Sequence, residues 1–557
     1  MPRDVDSNKP HSGILTAPGR WAPRAMLRGA GFDSDDLAKP IVGIANTWSG
    51  AMPCNFHLRD LGEDVARGVR DAGGTPMEIN TVAVSDGVLA RGGASLISRD
   101  VIADSIELAA TAYAFDAMVA IGACDKTNPG CVMALARVNI PAVYLYGGSV
   151  LPGRFHDRDV SIQTIAEAAG ELAAGKATRE DLDELERTAI PGPGSCAGMF
   201  TANTMGSAIE ALGITAANVA SAPASSDRRR EMAYESGKLA VEALRRGVTP
   251  RDLITSESLH NAMTVVASMG GSTNAVLHLL AIAAEAGVEL DIDEFQAVSD
   301  HTPHIGDFTP SGRYLMADLE RIGGLPVVMR ELLDAGLLAG DAPTVDGRTL
   351  AERLDGVSRP DGQDVVVPAS APLDPTGGWI ILRGDLAPEG SVLKATGTTV
   401  RRHVGRARVF DSESAAYKAV QGGQIEAGDT IVVRYEGPVG GPGMSETART
   451  TAAVVGRGLK DTVALITDGR FSGISHGIVI GHVAPEAAVG GPIALVQDGD
   501  IVTVDLDARR IDLDVTESEL EVRRNLWRAP KPDYPMSVFA KYARTVSSAS
   551  RGAVTSG

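Results

Sequence analysis

Cysteine is scarce in this chain. Four in 557 residues, at Cys54, Cys124, Cys131 and Cys196, are too few and too scattered for a disulfide scaffold, and no two form a Cys-x-x-Cys pair. Long apolar runs are absent as well. Nothing approaches the roughly 18 consecutive apolar residues of a membrane span, and the opening MPRDVDSNKPHSG lacks the apolar region of a signal peptide. The expectation is a cytoplasmic protein with no membrane partner. Positive charge is short too: 52 Lys and Arg against 71 Asp and Glu give a net charge of −19, which argues against nucleic acid or an anionic membrane and leaves small anions at a locally positive site. GxSxG, HExxH and a Walker phosphate loop are missing, so the chemistries those motifs carry lose ground.

What is there describes an ordinary soluble globular protein, 44 % hydrophobic and 22 % charged. Its length exceeds the single-core limit of about 250 to 300 residues, so at least two domains are expected. From about residue 40 to 330, β-rich runs alternate with helical patterns. PIVGIAN (40–46), INTVAVSD (79–86), AMVAIGA (117–123) and IPAVYLYGG (140–148) read as strands, and LRDLGEDVARGVRDAG (58–73), SRDVIADSIELAATAY (98–113), 201–213 and 258–287 as helices. The class is α/β, with an N-terminal mostly parallel sheet covered by helices over 1–355. A polar, Gly/Pro-bearing stretch, 356–378, reads as the linker. After it WIILRGD (379–385), TIVVRYEG (430–437), TVALITDG (462–469) and PIALVQDGDIVTVDL (492–506) give a β-rich, barrel-like C-terminal domain over 379–557. In parallel sheets ligands sit beyond the carboxyl ends of the strands, where Asn46, Asp86, Cys124 and Gly147 fall.

Three of the cysteines occupy loops at the edges of elements. Cys54 follows the first strand in SGAMPCNFH, Cys124 opens CDKTNPG, and Cys196 in PGPGSCAGMF precedes a helical run, where free amides lower a thiol pKa. Cys131, inside GCVMALARV, reads as core packing. Zinc or an iron–sulfur cluster would accept three thiolates, and a missing fourth ligand leaves a metal open to substrate as a Lewis acid. Asp86 and Asp125 are hard oxygen donors suited to magnesium. Lys126 either pairs with Asp125 or carries carbon dioxide as a carbamate, which is an oxygen ligand of the right sign. Glu446, in the Gly-dense RYEGPVGGPGMSET, is a further oxygen candidate, although glycines at that density also serve ordinary turns. Ser472 and His476, four apart in ITDGRFSGISHG, make a weak case for nucleophilic catalysis.

The stretches PCNFHLRDL, GGTPMEINTVAVSDG, RDVIADSIEL, CDKTNPG, GSCAGMFTANTM, MGGSTNAVLHLLAIA, APLDPTGG, LAPEGSV, YEGPVGGPGM, LITDGRFSGISHG and SSASRGAVT resemble the dihydroxyacid and phosphogluconate dehydratase family over nearly the whole chain. The resemblance implies an oxygen-sensitive iron–sulfur cluster on Cys54, Cys124 and Cys196, of the two-iron type because PCN carries a cysteine. It implies magnesium on Asp86, Asp125, a carbamylated Lys126 and Glu446, and Ser472 as proton acceptor. The implied reaction is dehydration of a small dihydroxy acid by a homodimer: the 2,3-dihydroxy-3-methyl acids that precede valine, isoleucine and leucine, or alternatively an aldonate. The chain departs from the family after Asp86, where Met-Gly-x-Glu-Gly-Met and Tyr-Ser-Leu are usual and VLARGGASLISRD stands instead, shorter and with no acid between Asp86 and Asp100. SET replaces the usual Arg-Glu pair after PGM, and Ile190 stands where many relatives have cysteine. A non-catalytic iron–sulfur sensor or electron carrier is the reading of another class; it would need none of Asp86, Asp125, Lys126, Glu446 and Ser472.

Overall fold

A computed structural model describes residues 13–556 except 174, 176, 397, 399, 473, 474, 476, 532, 533 and 535. The first sheet has four parallel strands in the order β2-β1-β3-β4: β1 (Ile41–Asn46), β2 (Thr75–Asn80), β3 (Ala117–Gly122) and β4 (Ala142–Tyr146). β1, β3 and β4 are buried along their whole length because helices cover both faces, which is why they read as continuous apolar runs. Helices Leu58–Asp71 and Asp227–Arg246 cover one face; Ala94–Tyr113, Thr127–Val138 and Asn274–Ala286 form a second layer. The first pair touches backbone to backbone: a Cβ on Gly68 would stand 2.0 Å from the Tyr234 carbonyl oxygen, and one on Gly237 2.2 Å from that of Val65.

Two expected elements differ here. The strand expected over 79–86 lies at Thr75–Asn80, and its ladder ends at the pair Asn46–Asn80 because β1 itself ends there. Residues 81–86 therefore leave the sheet and carry Asp86 away from it. The long helical pattern 258–287 is two helices, Ser256–Ser268 and Asn274–Ala286, broken at Gly270, whose φ of +60° a side chain resists.

A short hairpin, β5 (Gly153–Phe155) with β6 (Arg158–Val160), precedes the second sheet. That sheet runs β14-β13-β9-β10-β11-β12-β8-β7, from β7 (Trp379–Leu382), β8 (Gly390–Lys394), β9 (Arg402–Phe410), β10 (Asp429–Val433), β11 (Ala464–Thr467), β12 (Ile478–Ala484), β13 (Ile501–Asp505) and β14 (Arg510–Leu513). The central four strands are parallel and the flanking ones antiparallel. Arg383, just past β7, exchanges backbone hydrogen bonds with the Arg509–Ile511 segment at 3.0 and 2.9 Å, bringing the two edges together into a nearly closed barrel. Leu382, Leu393, Ile466, Ile480, Val502 and Ile511 pack together in the barrel core. Of the run expected over 492–506, only Ile501–Asp505 is strand; Pro492–Leu495 is a 3-10 turn.

Trp379, Ile381 and Val392, on the other face of β7 and β8, join the core of the first sheet. The chain then returns to that first unit: the buried Arg99 guanidinium donates to the carbonyls of Gly552 and Ala553 at 3.0 and 2.7 Å, and Asp100 accepts from Thr555. Among the described residues no helix is long and apolar enough to cross a membrane.

Candidate active site

Three loops at the carboxyl ends of the first sheet bring the cysteines together. Beyond β3 a four-residue turn, Ala123 to Lys126, leads into the helix Thr127–Val138, and the Thr127 hydroxyl clamps it by accepting from the Ala123 and Cys124 amides at 3.1 and 2.8 Å. Thr47, after β1, donates through its hydroxyl to the Ile121 carbonyl, and Asn55 donates to Thr47 in turn, so the Cys54 loop is fastened to the end of β3. The Gly194 amide donates to the Pro53 carbonyl, Ser195 runs beside Ser149 past β4, and Asn203 donates to the Cys196 carbonyl at 2.5 Å. Cys54 and Cys124 are buried and in contact; Cys196 is the most exposed of the three. A hydrogen bond between the Cys54 and Cys124 thiols raises the former and lowers the latter, so Cys124 gives up its proton first. Burial, with Asp125 and Cys124 close by, pushes the Cys196 thiol up. Cys131 lies in the core, pushed up by burial alone, as the sequence led one to expect.

Beside the thiols stands a crowded set of charges. The fully buried Lys126 ammonium is 2.5 Å from Asp86 Oδ2 and 4.0 Å from Asp125 Oδ2. Burial pushes the Asp86 carboxyl up, but Lys126, Arg470 and hydrogen bonds from Lys126 and Asp125 outweigh it and hold it low. Asp125 goes the other way: burial and the charges of Asp86, Cys124 and Glu446 overcome Lys126 and keep it protonated well above the usual carboxylate range. Glu446 belongs to the same field, brought in by the Gly-rich loop after β10.

The residues that position Glu446 are not ones the sequence singled out. Arg470, fully buried, donates to Glu446 Oε1 at 2.7 Å, to Asn274 Oδ1 at 3.3 Å and to the Met444 carbonyl at 2.8 Å. Asn274 donates to Thr201, which shares a hydrogen bond with Ser272. Arg470 stands in the quoted ITDGRFSG and Asn274 in GGSTNA; nothing in those strings distinguishes a buried guanidinium from a surface one. Ser472 is half-buried two residues past Arg470, on the loop that leaves β11, while His476 lies outside the described residues. The departing segment after Asp86 packs directly on this loop system: a Cβ on Gly93 would stand 2.0 Å from the Pro442 carbonyl oxygen, and one on Gly92 3.2 Å from Ser445 Oγ. Arg91 lies over the Tyr534 ring at 4.4 Å, fastening the segment to the C-terminal region.

A family model described as the N-terminal part of dihydroxy-acid/6-phosphogluconate dehydratase matches residues 39–353, and its C-terminal counterpart matches 364–553. The chain belongs to the dihydroxy-acid/6-phosphogluconate dehydratase family. It is 53 % identical over 538 residues to a dihydroxy-acid dehydratase of Roseiflexus sp. (strain RS-1), with 96 % of each chain covered. It is 52 % identical to one of Koribacter versatilis (99 % of this chain, 97 % of the relative) and 50 % identical to one of Sulfurisphaera tokodaii (98 % of each). Dehydratases are hydro-lyases, and so is this member of the family.

Do its residues fit a dehydratase's metals? Among the described residues no three His, Cys, Asp or Glu side chains are arranged to hold a metal ion as they stand; the Lys126 ammonium lies within 4.0 Å of both the Asp86 and Asp125 carboxylates. The donor set fits nonetheless. Among the described residues Asp86 Oδ1 is buried without a hydrogen-bond partner, and Asp125 keeps its proton because it is buried and anions crowd it. Both are groups that a dication would satisfy. Three convergent thiols, one already inclined to ionise, are the soft donors that iron or zinc takes.

Proposed function

We propose that this enzyme dehydrates 2,3-dihydroxy-3-methylbutanoate and its 3-methylpentanoate analogue to the branched 2-oxo acids that precede valine, isoleucine and leucine. The observation that carries the reading is the meeting, at one sheet end, of three thiols with the Asp86, Asp125, Lys126 and Glu446 cluster, in a chain about half identical to dihydroxy-acid dehydratases along its length.

An iron–sulfur cluster, two-iron in this reading, held by Cys54, Cys124 and Cys196, and a magnesium ion held by Asp86, Asp125, carbamylated Lys126 and Glu446, would supply Lewis acidity toward the substrate's oxygens. The turn from Cys124 to Lys126 puts donors for both on adjacent residues, so they face one small acid. Ser472, as the alkoxide, takes the C2 proton; the C3–O bond breaks, the departing hydroxide takes that proton back from Ser472 to leave as water and restore the alkoxide, and the enol tautomerises to the 2-oxo acid without net redox change. An alcohol is a poor base unaided, so the cationic surroundings must favour its ionised form. Arg470 holds Glu446 in place by a charge-assisted bond. In this reading the first domain, 1–355, carries the cluster ligands and most metal ligands, and the second, 379–557, the base and Glu446. The active form is a cytoplasmic homodimer, which light scattering on the purified protein checks.

Anaerobic purification, addition of Mg2+ and assay of 2-oxo acid release from the branched substrate beside a panel of aldonates tests the proposal. Turnover of the branched acid with the aldonates idle supports it; turnover of an aldonate alone overturns the substrate. That second reading draws on one observation, the shortened segment after Asp86 with Arg91 in it. Ser472→Ala should abolish turnover while the cluster's visible spectrum is unchanged, whereas retained activity would remove the base from Ser472.

A further inference from the structure

Lys394 ends β8 with its ammonium buried and, among the described residues, no hydrogen-bond partner. Side chains alternate along a strand: Leu393 faces the barrel core, whereas Val392, and Trp379 paired across from Lys394, pack in the core of the first sheet. Lys394 therefore sits on the face turned toward the first domain. Burial alone lowers it to about 8; no carboxylate acts on it. Its charge reaches His304 across the interface, which lies near Asp374 and Asp307 and is lowered by burial and by Lys394.

The neighbours of Lys394 lead toward the proposed site on two sides. The β8–β12 register pairs Leu393 with Ile480, so the next step puts Lys394 beside Val479, which clusters with Phe471, the neighbour of Ser472. The Thr398 hydroxyl donates to the Lys394 carbonyl at 3.2 Å and reaches that of Gly477 at 3.5 Å, at the end of the Ser472 loop. On the other side Ser311 donates to Thr396 at 3.3 Å, and the neighbouring Thr309 carbonyl accepts from Met199, three residues past Cys196. An ammonium taken out of water with no partner destabilises a fold, and a methionine of similar length would fill the space without that cost. A lysine kept here is a charge awaiting an anion.

We propose that Lys394 binds the carboxylate of the dihydroxy acid substrate and so sets its orientation between Ser472 and the Cys196 loop. The inference rests on the function proposed above and names a specificity-determining residue for it. The test compares Lys394→Met, Lys394→Gln and Lys394→Arg with the wild type, in both steady-state kinetics and thermal unfolding. The expected result for Met is a higher unfolding midpoint together with a KM raised roughly tenfold or more and a kcat within about threefold, since a lost charge-assisted bond weakens binding. Gln should raise KM similarly and Arg recover most of it. A stabilised Met variant with unchanged KM overturns the proposal, as does a fall in kcat alone; if Met does not fold, an unchanged KM in Gln overturns it. The wild type is assayed first on the branched acid and the aldonates. Activity on an aldonate alone overturns the substrate reading, and the Lys394 comparison is then made on that acid, whose carboxylate is the same.

Discussion

In Arg470→Met the guanidinium that holds Glu446 is replaced by an apolar chain of similar length. Three acceptors lose Arg470 as donor: Glu446 Oε1, which keeps only a 3.5 Å bond from the Asn274 amide, Asn274 Oδ1 and the Met444 carbonyl. Breaking a buried ion pair by removing one partner costs roughly 3 to 5 kcal/mol. The lower end, about 3 kcal/mol, applies here because Glu446's side chain is 21 % exposed and water can reach it. Glu446→Gln is milder, about 1 to 2 kcal/mol, since its amide oxygen still accepts from Arg470. In Arg470→Met/Glu446→Gln neither charge remains buried and unpaired, so the double variant should be less destabilised than the sum of the singles by about 2 kcal/mol. Urea unfolding of metal-free protein, followed by tryptophan fluorescence, gives the three differences. Additivity within about 0.5 kcal/mol would refute the claim that this pair is coupled and that Arg470 acts through Glu446.

Five further outcomes are expected. Cys124→Ser should lose protein-bound iron and visible absorbance after anaerobic reconstitution, while Cys131→Ser keeps both. Chelation of Mg2+ should abolish turnover, with activity restored on adding it back. His482, lowered by burial from 6.5 to about 3, is a base with a depressed folded pKa, so the stability it favours is present above pH 6.5 and falls progressively as pH drops toward 3. His482→Asn, which suits the φ of +57° there, should flatten that part of the acid stability curve. Gly93→Ala drives a methyl into the Pro442 carbonyl and should displace the loop carrying Glu446, read as loss of activity and of thermal stability. Arg91→Ala removes a stacking contact with Tyr534 worth about 0.5 to 1 kcal/mol, so proteolysis between residues 87 and 93 should quicken while the core stays stable.

The local pattern by itself determined a good deal of this protein. β1, β3 and β4 were legible because strands buried on both faces must be apolar throughout, and the positions of Cys54 and Cys124 because loops at strand ends converge in a parallel sheet; Cys196 was read as preceding a helix whose amides would lower its thiol, whereas burial pushes that thiol up. Strand 79–86 was misplaced because the ladder stops where β1 stops, a fact about a partner 34 residues away in the register Asn46–Asn80. The break at Gly270 was hidden in an Ala-rich pattern whose helical period continues across it. Charge state was beyond sequence altogether. Asp86 and Asp125 are the same residue type within one cluster, yet Lys126 and Arg470 hold one ionised while burial keeps the other protonated. The tertiary structure alone decided which arginine grips Glu446 and which lysine is left buried without a partner. Ionisation and pairing depend on what surrounds a group in space, and residues 274, 446 and 470 become neighbours only once the barrel has docked on the first sheet.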